Sequence, residues 1–511
     1  MHGLIWFLPD FRDWPLTVAQ GLQSHAPDWT FCGLVSGFEH DYDHVESSTA
    51  PAIRPLYNMD HLQRAWLTQP AETAKLEKYG EILGPQTLNR ILIADRNIGR
   101  GFVAGVDLPE TPLMRLTREH EHRMRYLIGL LDFLFDVFEH EKPDYVFAAG
   151  VAGALAMALA AVSEHFDVKF RNLLSTRIGT GHTITEASDG LCPSIEERFK
   201  QASLNPQIVE PWLDDARAIV TAFHDRPHGL QDTETAWQRA ARPLRPIDMA
   251  ALAWRAMTRR PPELINLPYP ASYFAWEIRR RFRVRRMLRS GLFHTAAVLD
   301  GRKFAYFPLH ITPEASTMVL APLMTDQISV IETLAKCLPS EMRLAVKEHV
   351  PMIGRRPIEF YRRLAAIPKV VLISPTAETF DLIRRADLTC VITGTAAWEA
   401  ILMKRPALCL GRALYQTVGE GFVRCEELSR LPEAISEALA VAPASDDKIA
   451  IYIASVLAES FELPKRLRFS VPADIVAAHP EISQAMVDRL LKSFEPAVDP
   501  LSQPASESSI G

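Results

Sequence analysis

The residues best suited to chemistry stand in four short polar runs, each placed directly after an apolar, strand-like run. The first is His310-Ile-Thr-Pro-Glu314-Ala-Ser316, the second Lys347-Glu348-His349, and the third Ser374-Pro-Thr-Ala. The fourth is Thr393-Gly394-Thr395-Ala-Ala-Trp-Glu399. In this last run a strand ends, a glycine permits a tight turn, and a helix begins. Backbone N–H groups at a helix start, together with the hydroxyls of Thr393 and Thr395, are suited to receive a phosphate. Glu399 falls about one helical turn further on, where it can accept hydrogen bonds from a ribose or sugar hydroxyl. The same residues also make a plain helix N-cap. Convergence favours a ligand site, because polar loops at successive strand ends of one sheet face a common crevice. His349 can donate to a phosphate or carry a proton, although a lone histidine also suits a structural role. His310, Glu314 and Glu348 add acid/base-capable groups without fixing which does what.

Other clusters speak less directly. His120-Glu121-His122 lacks the i, i+4 spacing that puts two imidazoles on one helix face, so a solvated helix face is expected and no metal site. Residues 279–289 carry seven arginines with Phe274 and Trp276 just before them. Such a segment suits an anionic membrane surface or an inter-domain face. The cysteines at 32, 192, 337, 390, 409 and 425 form no CxxC pair and sit mostly in apolar runs, as small core residues do.

The elements that must position the polar loops are read from periodicity. Strands are expected at Phe304–Leu309, Arg343–Lys347, Val370–Ile373, Leu388–Thr393 and Ala407–Leu410. Helical stretches separate them, which makes a doubly wound α/β domain. The amino-terminal half repeats the scheme less regularly, with strands at Leu4–Leu8, Trp29–Val35, Asp144–Ala149 and Val168–Leu174. Long insertions fall near 38–110 and 185–240. The expected organisation is a Rossmann-like domain over 1–240, an Arg/Pro-rich helical linker over 241–300 and a second Rossmann-like domain over 301–480. A terminal helix over 481–499 and a disordered tail over 500–511 complete it.

The 511 residues are 48% hydrophobic and 23% charged, a soluble globular balance. Lys+Arg of 56 against Asp+Glu of 62 gives a net charge of −6, which argues against a whole-chain nucleic-acid binder. The opening MHGLIWFLPDFRDW has no basic stretch ahead of its short apolar run, so no signal peptide is expected. The uncharged window Tyr145–Ser163 reads as strand, glycine turn and alanine-rich helix, not as a membrane span.

At FPLHITPEAST, LAVKEHVPMIG, LISPTAET and VITGTAAWEAILMKRPALCLGRALY the chain resembles the capsule polysaccharide and surface carbohydrate biosynthesis family, which includes retaining Kdo transferases. Ser175-Thr-Arg177-Ile-Gly179 is similar to that family's RIG segment. The resemblance implies a GT-B fold, two Rossmann-type domains facing across a cleft, with a nucleotide-sugar donor on the second. It implies that His349 stands for the family's His-Pro histidine near the donor phosphate, although here Val350 separates it from Pro351. Thr393 and Thr395 would be the phosphate-loop hydroxyls, and Pro313-Glu314 the Pro-Glu element. The expected catalytic set is Glu314, His349 and Asp10. The expected donor contacts are His310, Ser316, Lys347, Glu348, Ser374, Thr393, Gly394, Thr395, Glu399 and Arg177. Asp10 and Arg177 are expectations of position at strand ends. CMP-Kdo is the implied donor, a glycan or glycolipid the acceptor, and no metal or other cofactor is expected. The expected location is cytoplasmic, peripheral on the inner membrane through the 279–289 segment. A polyol-phosphate transferase and a non-catalytic assembly scaffold are the competing readings.

Overall fold

A computed structural model describes residues 1–8, 13–48, 51–103, 105–225, 245–258, 264–463 and 478–495. Two sheets organise the chain. In the second, β7 (Phe304–Pro308), β8 (Arg343–Lys347), β9 (Val370–Ile373), β10 (Leu388–Val391), β11 (Ala407–Cys409) and β12 (Phe422–Arg424) run in the order β9-β8-β7-β10-β11-β12. All neighbours pair parallel. Counted from β7 this is the order 3-2-1-4-5-6, and the chain reverses direction across the sheet between β7 and β10. Both faces are covered, so the strands read as continuous apolar runs such as Leu344-Ala-Val346, with no alternation.

The first sheet holds β1 (His2–Phe7), β2 (Thr30–Val35), β3 (Ile53–Asn58), β4 (Tyr145–Ala148), β5 (Lys169–Ser175), β6 (Gly181–Thr185) and β13 (Phe461–Glu462). Its order is β13-β6-β5-β4-β1-β2-β3, so its reversal falls between β1 and β4. Strands β6 and β13 join antiparallel at the edge. A parallel sheet and a mostly parallel one, both doubly wound and sharing a cleft, make the GT-B-like architecture.

Domain limits differ from the sequence reading in two places, and packing explains both. Helices Pro193–Leu204 and Glu210–Asp225, inside the span 1–240, bury Ile195, Phe199, Leu213 and Val220 in the apolar layer of the second sheet, with Tyr452 and Ile453. The end of the 301–480 span returns the other way: Phe461 pairs with His182 in the first sheet. Helix Pro480–Lys492 then sets Met486, Val487 and Leu490 against Trp14, Val18 and Tyr145. The crossing is pinned by Glu459, whose carboxylate takes Arg198 at 2.5 Å, Arg489 and Lys492. The residues expected as a disordered tail lie outside the described ones, as does Asp10.

The arginine run forms part of helix Pro270–Leu288. Five of its seven arginines meet carboxylates: Arg279 and Arg283 reach Asp107, Arg280 and Arg281 reach Glu277, and Arg286 reaches Glu359. Val284 and Met287 are buried on the second domain, and Trp276 Nε1 donates to the Asp107 carbonyl at 2.8 Å. These contacts fit the inter-domain reading of the segment, while Phe282, Leu288, Arg285 and Arg289 remain exposed. Glu121 of the His-Glu-His run is exposed and pairs with Arg125, as a solvated helix face does. Among the described residues no helix is long and apolar enough to cross a membrane.

Candidate active site

The loops after β7 and β10 flank the reversal of the second sheet, the place where parallel sheets open a crevice. There a cavity of about 660 Å³ is walled by both domains, with Leu174, Ser175, Arg177 and Gly190 from the first. It takes in His310, Glu314, Ser316, Lys347, Glu348, His349, Thr393, Gly394, Thr395, Glu399 and Arg177. Ser374 does not line it; its hydroxyl shares a 2.7 Å hydrogen bond with Thr376, and Pro375 and Thr376 take its place on the wall.

The floor is a buried network. Arg356, 2% exposed, sends Nη2 to the His310 carbonyl at 2.6 Å and Nε towards Glu348 Oε2 at 3.4 Å. Tyr361 donates to the same Glu348 oxygen at 2.6 Å, and the His349 amide donates to Oε1 at 2.7 Å. Gln327 closes the ring: its Oε1 accepts the His310 amide at 2.8 Å, and its Nε2 donates to the Thr312 hydroxyl at 2.8 Å. Burial pushes the Glu348 carboxyl up, against the pull of Arg356 and Tyr361. The Glu348 oxygens are thus committed to the His349 amide and Tyr361, and Arg356 links them to the His310 carbonyl.

Both histidines stay neutral. Burial, with His349 and Arg356 nearby, lowers His310 to about 3; burial, Lys347 and Arg356 lower His349 to about 4. His349 therefore offers a ligand a neutral hydrogen bond, not a charge. The Thr393 amide points at His310 Nε2 at 3.3 Å, and the Thr393 hydroxyl is spent on the Ser316 carbonyl at 2.7 Å. That hydroxyl is thus unlike the free phosphate donor read from the sequence. Thr395 begins helix Ala396–Leu402 in αR geometry, with its hydroxyl 3.5 Å from Glu399 Oε1.

The cavity's buried cation is Lys347. Its ammonium donates to the Thr379 hydroxyl at 2.6 Å, and burial lowers it to about 8 despite Glu378 and Glu399. Glu399 is raised to about 7 by burial, against the hydrogen bond from Thr395 and the charge of Lys347. Two groups poised near neutrality in one cleft are a functional-site signature. Glu314 is exposed at the mouth, where the Ser316 hydroxyl donates to it at 2.8 Å. Arg177 holds φ +65, a left-handed conformation that non-glycine residues rarely adopt, which sets it into the cleft from the opposite wall. Arg412 spans the cleft to Asp189 of the first domain.

Sequence reasoning missed Thr379, Tyr306, Arg412 and Tyr415. Thr379 ends the run LISPTAET and could have been read as the partner of a strand-end lysine. Arg412 and Tyr415 stood at the end of VITGTAAWEAILMKRPALCLGRALY without a role assigned; Tyr415 donates to the Gly394 carbonyl at 2.6 Å and so holds the tight turn.

Residues 323–426 match the family model described as "Capsule polysaccharide biosynthesis protein". The matched stretch carries Lys347, Glu348, His349, the 393–395 loop and Glu399. No curated protein matches the chain. Among solved structures, KpsC of Thermosulfurimonas dismutans, a beta Kdo 2,7 transferase, is similar at 12% identity and TM-score 0.30, over 69% of this chain and 89% of that one. The UDP-GlcNAc 2-epimerase of Neisseria meningitidis is similar at 11% identity and TM-score 0.26, over 96% of this chain and 100% of its own. The two-domain fold stands on the strand orders above, independently of these likenesses.

Proposed function

We propose that the protein is a glycosyltransferase of capsule-type polysaccharide biosynthesis that binds a nucleotide-sugar donor on the second domain and a glycan acceptor against the first. One observation carries this reading: the family-matched loops converge at the reversal of a parallel sheet, around a buried lysine, in a cavity closed by the other domain. Lys347 and the backbone amides of Gly394 and Thr395 would face the donor phosphate, offsetting the charge that grows on the leaving nucleotide. His349, neutral, would add a hydrogen bond. Glu399 would hold a ribose or sugar hydroxyl. Glu314, exposed at the mouth, would take a proton from an acceptor hydroxyl. An acidic sugar such as Kdo needs cationic partners for its carboxylate, and Arg177 enters from the facing wall for that task.

Thermal stabilisation by CMP, CDP, UDP and GDP at equal concentration tests the donor. A ligand at 100 times its Kd stabilises by about 2.7 kcal/mol, and CMP is expected to give the largest shift. Preference for UDP or GDP would remove the Kdo assignment and leave the transferase; no shift with any nucleotide would favour the scaffold.

Gly394 offers a second check. A Cβ there would stand 2.9 Å from His310 Nε2, whose ring is fixed by the buried network. Overpacking of this kind costs about 1–3 kcal/mol, and Gly394→Ala is expected to weaken nucleotide binding roughly tenfold by moving the loop. Calorimetry giving wild-type affinity in a folded variant would separate this loop from the donor.

A further inference from the structure

At the pole of the first sheet away from the cleft, three side chains meet that the proposed transfer reaction does not use. His2 opens β1, Cys32 lies in β2, and Glu141 is the last residue of helix His120–Glu141. The β1/β2 register pairs His2 with Thr30 and Leu4 with Cys32, so His2 and Cys32 share the face that this helix covers. Helix and strands thereby bring one nitrogen, one sulfur and one carboxylate oxygen within 4.8 Å of one another.

We propose that His2, Cys32 and Glu141 form a structural binding site for a divalent metal ion of the zinc class. An imidazole, a thiol and a carboxylate are the donor types zinc takes, and thiolate plus carboxylate cancels its double charge. The ligand atoms are already oriented. His2 Nδ1 lies 2.8 Å from the Thr30 hydroxyl, and with Nδ1–H donating there, Nε2 keeps its lone pair. That Nε2 is buried without a hydrogen-bond partner, and Glu141 Oε2 stands 3.9 Å from it, too far for a hydrogen bond. Tyr57 donates to the other Glu141 oxygen at 3.3 Å, which turns Oε2 towards His2. The His2 amide donates to Asp144 at 2.6 Å and fixes the strand start.

Ligand atoms around tetrahedral zinc sit roughly 3.3–3.8 Å apart, given bonds of about 2.0–2.3 Å. Closing from the observed spacing takes about 1 Å of side-chain rotation. As the sulfur–zinc bond forms, the thiol proton leaves to water. The rim, where His2 and Glu141 side chains are 20% and 22% exposed, admits a water as fourth ligand. Such an ion would tie the ends of β1, β2 and the long helix, far from the donor loops.

The full chain, freed of any affinity tag, is dialysed against Zn2+ and analysed for metal. About one equivalent is expected to remain bound. Loading with Co2+ instead is expected to give a thiolate-to-metal charge-transfer band in the near ultraviolet and intense tetrahedral bands in the visible. Cys32→Ala and His2→Ala should each lose the zinc and the charge-transfer band while keeping the fold by circular dichroism. His2→Ala changes a partly exposed strand start, so it holds the test open if the buried Cys32 variant misfolds. Nucleotide stabilisation should be unchanged in both variants, which separates this site from the donor site. Absence of retained zinc, a cobalt spectrum without the thiolate band, or wild-type metal binding by His2→Ala would each overturn the proposal.

Discussion

Replacing Arg356 by alanine is expected to destabilise the second domain by about 3–5 kcal/mol, the range for removing one partner of a buried ion pair. The guanidinium is 2% exposed, donates to the His310 carbonyl and stands as the ion-pair partner of the Glu348 carboxylate at 3.4 Å. Without it, Glu348 keeps only Tyr361 and the His349 amide. Burial already holds this carboxyl above its ordinary value, and losing Arg356 removes the largest opposing pull. The sign follows. A carboxyl raised in the folded state contributes stability that is present at low pH and lost as pH rises through its folded value. The Arg356→Ala deficit should therefore shrink as pH falls. Urea midpoints for variant and wild type, compared at several pH values, check both the size and the slope. A loss below about 1 kcal/mol, flat with pH, would show that water or another donor replaces the guanidinium.

That network marks where sequence reading stops. The parallel strands were legible because each is an apolar run that ends in a polar loop. Phe304–Pro308, Arg343–Lys347 and Val370–Ile373 fall where expected, since burial on both faces leaves little room for another pattern. Short edge strands were not legible. Phe422–Arg424 and Phe461–Glu462 are 3 and 2 residues long, and pairing partners define them, not periodicity. The exchange of helices between domains was hidden for a related reason. An amphipathic helix such as Glu210–Asp225 declares an apolar face without declaring which sheet will cover it.

Within the site, residue types were legible and roles were not. Glu348 and Lys347 are consecutive and equally polar in sequence. Strand alternation sends them to opposite faces, one into the Arg356–Tyr361 network and the other towards Thr379 and the cavity. Thr393 and Thr395 look equivalent, yet the first hydroxyl is consumed by Ser316. The cysteines divide in the same way. Cys390 and Cys409 are buried strand residues, as their apolar surroundings suggested, while Cys32 lies beside His2 and Glu141, which are remote from it in the chain.

Nucleotide affinity is expected to fall as pH rises from about 7 to 9, with Lys347 as its main determinant. The ammonium, lowered to about 8, is charged below that value and neutral above it. A phosphate stabilises the charged form, so binding near pH 8 should take up protons, and affinity should decline as the solution becomes basic. Glu399 acts in the same direction. Raised to about 7, it is neutral at lower pH and adds a negative charge to the cavity as it ionises. A hydrogen bond to a charged group contributes about 1.5–3 kcal/mol, so Lys347→Met should weaken binding by roughly 10- to 100-fold at pH 7. It should also remove the decline near pH 8 and leave the step belonging to Glu399. Glu399→Gln should do the converse, erasing the lower step and keeping the upper one. The two variants distinguish a phosphate held by the lysine from one held by loop amides alone, because backbone N–H groups do not titrate here. Calorimetry over this pH range, in buffers of differing ionisation enthalpy, reads both affinity and proton uptake. Wild-type affinity and an unchanged pH profile in Lys347→Met would place the phosphate on the 393–395 loop and assign Lys347 to its contact with Thr379 alone.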